Sequence, residues 1–166
     1  MITIYSRFRI FLFLITALVT VPLFGFHPVS VAEVNGQTDV AISGYDAVAY
    51  FVSGEAVQGR SIFRQEWQGA YWYFSNASHQ KRFAENPEKY APAYGGYCGY
   101  CVSENGAAAT GGDPEIFVIH NDRLYLLQSE EILAKCKEDL ARYAKEADEV
   151  YIRLTSASTE AGSPAQ

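Results

Sequence analysis

The chain has no surplus of positive charge: 13 Lys and Arg face 19 Asp and Glu, a formal net charge of −6. An acidic surface repels phosphate backbones and anionic lipid, which excludes nucleic acid as a partner and any membrane surface that binds by charge. Internal repeats are absent, so a repeat architecture is excluded as well. There is no phosphate-cradling glycine loop, no Ser/His/Asp order of a hydrolase triad, and no pair of carboxylates at a catalytic spacing. Those gaps weigh against an enzyme. Cysteine is scarce, with three in 166 residues. In an exported protein an odd count leaves at least one thiol outside any bridge within the chain.

Long apolar runs are also rare; one stands out, near the start. Arg7 and Arg9 precede an uncharged stretch from Ile10 to Phe26, followed by Pro28 and the small triplet Ser30-Val31-Ala32. That layout predicts a secretory signal over 1–32, cleaved after Ala32, and hence a periplasmic or other extracytoplasmic protein. The alternative is an uncleaved anchor, because the run nearly reaches the roughly 20 residues that span a bilayer. The membrane is a partner only in that case. Without residues 1–32, 11 Lys and Arg remain against 19 acids, a balance of −8 that favours cations. The polar stretch 33–39 predicts a linker, 40–154 a single domain, and the Ser/Ala/Thr-rich 155–166 a disordered tail.

What is present is a dense series of local signals. Val40 to Phe51 predicts a short strand, a turn at Gly44 and a helical turn capped by Asp46. Ile62–Trp67 and Ala70–Phe74 flank Gln68-Gly69, which predicts a β-hairpin. Ser75 or Asn76 can cap a short helix carrying Phe83 and ending before Pro87, with one further turn around Glu88 to Tyr90. Glu104–Gly112 is rich in Gly and Ala without periodicity and predicts a flexible loop. Glu115–His120 and Arg123–Gln128 around Asn121-Asp122 predict a second hairpin. Ser129 before Glu130 and Glu131 predicts an N-cap, and Leu133, Cys136, Leu140, Tyr143 and Ala147 recur at helical steps along one apolar stripe. The expected fold class is α+β: a small antiparallel sheet of two hairpins with one short helix and one long C-terminal helix packed on it.

Tyr71-Trp72-Tyr73-Phe74, Arg82-Phe83, Asn86-Pro87-Glu88-Lys89-Tyr90 and Gly95-Gly96-Tyr97-Cys98 occur in an ordered series that resembles the YHS domain. That domain is similar to the TRASH modules that traffic metals beside copper ATPases. The segments Gly44-Tyr45-Asp46-Ala47-Val48-Ala49-Tyr50-Phe51 and Gly112-Asp113-Pro114 are similar to the exported, stand-alone branch, so the resemblance runs from about Ile42 to Leu154. Where metal-binding relatives carry Tyr-Phe-Cys-x-x-x-Cys, this chain has Phe74-Ser75 and His79. A further departure is Cys101, at a position where the exported branch has a small residue.

Cys98 and Cys101 set two sulfurs close together, which serves a redox disulfide, a soft metal, or a disulfide with no further task. The pair does not follow a strand within a βαβ unit, which weighs against a thioredoxin-like role. His79 lies one helical turn before Phe83 and shares its face if Phe83 packs inward. Cys98, Cys101 and His79 therefore form a candidate set for copper(I) or zinc, with copper(I) preferred by the resemblance and by ligand softness. The expected function is a non-catalytic, exported metal-binding or metal-handling module that meets a metal ion or a metal-handling envelope protein. The alternative is a thiol-redox, structural or ligand-binding domain with a Cys98–Cys101 disulfide. Cys136, on the apolar stripe, is expected to be a buried core thiol, and His120 to face solvent at a hairpin end. The aromatic cluster around Trp67–Phe74 and Tyr90–Tyr100 is expected to be core, or else the wall of a pocket.

Overall fold

The computed structural model describes residues 29–34, 37–106 and 109–161. The predicted leader lies outside them apart from residues 29–32. The fold is α+β, as expected, and its strands fall into two sheets rather than one. In the first, strands β1 (Val31–Val34), β2 (Gln37–Ala41), β3 (Arg60–Trp67) and β4 (Ala70–Phe74) lie in the order β1-β2-β4-β3. The β3–β4 hairpin turns at Gln68 and Gly69, both at positive φ, as the Gln-Gly signal implied. β2 joins β4 in parallel through Val40 and Tyr71, a pairing between segments far apart in the chain. The second sheet is the hairpin of β5 (Asp113–His120) and β6 (Arg123–Leu127), turning at Asn121-Asp122, again at positive φ.

Two predicted boundaries need correction. Residues 33–34 and 37–39 are no tether: antiparallel backbone pairing of β1 with β2 takes them into the sheet. Residues 155–161 are not a tail but the last part of a helix.

The helices follow their caps. In α2 (Ala77–Glu85) the Asn76 side chain accepts from His79 N at 2.9 Å, and Pro87 begins the single turn α3 (Pro87–Tyr90). Ser129 Oγ accepts from Ile132 N to open α5 (Glu130–Glu138), with Glu130 and Glu131 in its first turn beside the positive end of the helix dipole. The apolar stripe from Leu133 to Ala147 does not belong to one helix. The backbone breaks at Asp139 (φ −153°, ψ 64°), and α6 (Leu140–Ala161) begins anew with Asp139 Oδ1 accepting from Arg142 N. The predicted loop after the cysteines also needs correction, since its first part is helical: α4 (Gly99–Asn105) ends at Gly106.

Between the first sheet, α2 and β6 sits the main core. Phe83 packs its ring 4.9 Å from Trp72 and 5.0 Å from Phe74, centroid to centroid, with Trp67 edge-on at 5.7 Å. A second apolar group joins Tyr94, Val102, Tyr125 and Ala147 where α4 meets α6. No helix among the described residues is long and apolar enough to cross a membrane.

Candidate functional site

The chain reaches Cys98 through a left-handed path. Tyr94, Gly95 and Gly96 have φ of 57°, 64° and 91°, and a Cβ on Gly96 would stand 2.8 Å from Ile42 Cγ2. Gly-Gly is what lets the backbone pass there. Cys98 N then donates to Thr110 O at 2.9 Å, and Cys98 becomes the N-cap of α4, its sulfur accepting from Cys101 N at 3.3 Å. A thiol thus fills the position usually held by Ser, Asp or Asn. One turn on, the Cys101 thiol donates to Gln128 Oε1 at 3.4 Å. Cys136 comes from α5 into the same apolar group, with Leu127 and Leu133.

All three cysteines are free thiols and all are buried. Burial, then the hydrogen bond and charge of Cys98, pushes the Cys101 thiol up to about 12. Burial and the nearby Cys98 push Cys136 up to about 11. Cys101 and Cys136 are therefore neutral at physiological pH, and a thiolate at either would have to form against the apolar surround.

His79 lies elsewhere. Its Nδ1 stands 2.7 Å from Oδ2 of Asp46, which is wholly buried. The same oxygen accepts from Ser75 Oγ at 2.6 Å and Ser75 N at 2.8 Å. Oδ1 accepts from Val48 N and Ala49 N at 3.0 and 3.3 Å. One carboxylate therefore closes the turn before α1 (Ala49–Val52), the end of β4 and the first turn of α2. The helix face shared by His79 and Phe83 is the inward one, as expected, but the imidazole meets a carboxylate rather than sulfur.

The predicted ligand set is thus divided: Cys98 and Cys101 come together, and His79 is held by Asp46. Among the described residues no group of three or more His, Cys, Asp and Glu side chains is arranged to hold a metal ion. Cys136 is the third thiol near Cys98, and its apolar stripe had pointed to burial but not to this neighbour. Asp46 was legible as a cap; its tie to His79 was not. His120 ends β5 half-buried, with Nε2 3.0 Å from Asn121 Nδ2. Set against known protein families, curated proteins and solved structures, the chain matches none.

Proposed function

We propose that this chain is an exported, non-catalytic YHS-type domain in which Cys98 and Cys101 form a maturation disulfide inside the core. The observation that carries this reading is that Cys98 caps the helical turn that carries Cys101, the two buried in one apolar group, with His79 committed to Asp46. Oxidation removes two protons and two electrons from the pair by exchange with a disulfide-bearing oxidant, and leaves no buried charge. Metal binding would instead demand thiolates in an apolar surround. Burial also keeps a formed disulfide from attack, so the pair is set once rather than cycled with partners. Closing so short a loop is worth about 2 kcal/mol on chain entropy. Denaturant unfolding of oxidised and reduced protein should differ by about that amount, and Cys98→Ser should abolish the difference. Equal stabilities in the two redox states would refute the reading.

A second reading, copper(I) held by Cys98 and Cys101 alone, is favoured by the softness of two adjacent sulfurs. Its test is competition for copper(I) by the reduced protein against the Cys98→Ser/Cys101→Ser double variant. Metal handling requires a clear advantage for the native pair.

A further inference from the structure

Away from the thiols, a cavity of about 240 Å3 opens between the tips of the two hairpins. Gln68 enters it from the β3–β4 turn and Asp122 from the β5–β6 turn, while Glu88 and Lys89 enter from α3. Its aromatic lining is Trp67, Tyr94 and Tyr151. The back wall is fixed. Tyr94 OH donates to Ala144 O at 2.9 Å and approaches Asp148 Oδ1 at 3.1 Å, and Arg123 pairs through two nitrogens with Asp148 while lying 5.7 Å over the Tyr94 ring. Arg123 is therefore neutralised, and it is not a free cation.

A second groove, of about 420 Å3, runs between α2 and α3, where Arg82 and Lys89 line it together with Ser78 and Asn86. Lys81 in that groove is paired with Glu85 at 3.8 Å. Lys89 borders both spaces. Among the described residues Glu88, Asp122, Arg82 and Lys89 make no ion pair. Two unpaired acids thus stand beside an aromatic wall, and two unpaired bases stand along the adjoining groove, in a protein that is acidic overall.

The geometry points to one site for a small zwitterion, its organic ammonium in the aromatic cavity beside Glu88 and Asp122 and its oxyanion against Lys89 and Arg82. An ammonium gains from aromatic faces and carboxylates together. An oxyanion gains charge-assisted hydrogen bonds from a guanidinium and an ammonium. A cation alone would leave both bases unused, and an anion alone would leave both acids unused. The cavity is below the roughly 300 Å3 at which drug-sized pockets begin, so the ammonium head must be small.

Phosphocholine is the probe. The protein has two tryptophans, and Trp72 is buried in the core, so a fluorescence change on titration reports Trp67. Full-length protein should bind phosphocholine saturably, with a Kd of about 1 mM or tighter, and choline or inorganic phosphate at least about tenfold more weakly. Lys89→Ser and Glu88→Gln, both exposed and checked for native fold by circular dichroism, should each weaken binding about tenfold. Competition by phosphatidylcholine vesicles would assign the zwitterion to a lipid headgroup; binding of the free probe without such competition would assign it to a soluble solute. No saturable change up to about 50 mM, or unchanged binding in both folded variants, overturns the site.

Discussion

At the residue scale the most heavily used side chain is Asp46, whose two oxygens take five donors from three segments of the chain. Removing it leaves those donors unsatisfied inside the fold. Asp46→Ala should therefore cost about 3–5 kcal/mol in denaturant unfolding. His79→Ala should cost less, about 1–3 kcal/mol, because four of the five donors to Asp46 remain. If the two losses are equal, the carboxylate is not the hub described. Cys136 belongs to the same scale. It should resist alkylation in the native protein and react after denaturation, and Cys136→Ser should destabilise by roughly 1–3 kcal/mol, because its hydroxyl would be poorly satisfied.

The thiols also set a pH dependence in the reduced protein. Their native values of about 12 and about 11 lie above the ordinary 9.0. The native state therefore holds protons that the unfolded chain has begun to release, and stability falls as pH rises. This contribution is complete below pH 9.0 and is lost as pH climbs toward 11 and 12. Urea midpoints measured across that window should decline, and Cys101→Ser should reduce the slope; a flat profile would contradict the burial of neutral thiols.

At the scale of elements, most of what was legible rested on local chemistry. Gln68-Gly69 and Asn121-Asp122 adopt positive φ, and Asn76 and Ser129 cap their helices with their own side chains. Such signals act within four residues, so they survive without tertiary context. The α4 helix was hidden because its cap is a thiol and its sequence, Gly99 to Asn105, has no apolar period. The break at Asp139 was hidden because Cys136 and Leu140 keep helical spacing across it, and periodicity reports spacing rather than dihedral angles. The Asp46–His79 pair, 33 residues apart, could not be read from any local pattern.

Gly59 offers an element-scale test. A Cβ there would meet Tyr73 C at 2.5 Å and Tyr73 O at 2.6 Å, both backbone atoms of β4 that cannot give way. Gly59→Ala should push the strands apart and cost about 1–3 kcal/mol. Gly54→Ala meets no atom and strains only its positive φ, at about 1–2 kcal/mol. Hydrogen exchange in β4 should rise for the first variant and not for the second.

Across the whole molecule, two small sheets are held together by a shared core rather than by strand pairing. Leu124 and Leu126 of β6 join Trp72, Phe74 and Phe83 of the first sheet and α2. Val29 belongs to that core, Ser30 N donates to Gly95 O at 2.9 Å, and β1 crosses the predicted cleavage point at Ala32. A chain beginning at Glu33 loses the buried Val29 and half of β1. It should be less stable than one beginning at Val29 by about 1.5–3 kcal/mol, read from thermal or denaturant unfolding. Equal stability would show that residues 29–32 add nothing to the fold.

The central claim, that Cys98 and Cys101 mature to a disulfide in the core, is tested most directly by peptide mapping of protein recovered from the compartment where it resides. Alkylation under denaturing conditions, before and after reduction, followed by mass spectrometry and metal analysis of the same sample, reads thiols and metal together. The expected result is a peptide in which Cys98 and Cys101 are joined, Cys136 alkylated without reduction, and no stoichiometric metal. Three alkylated thiols with one copper per chain would contradict it.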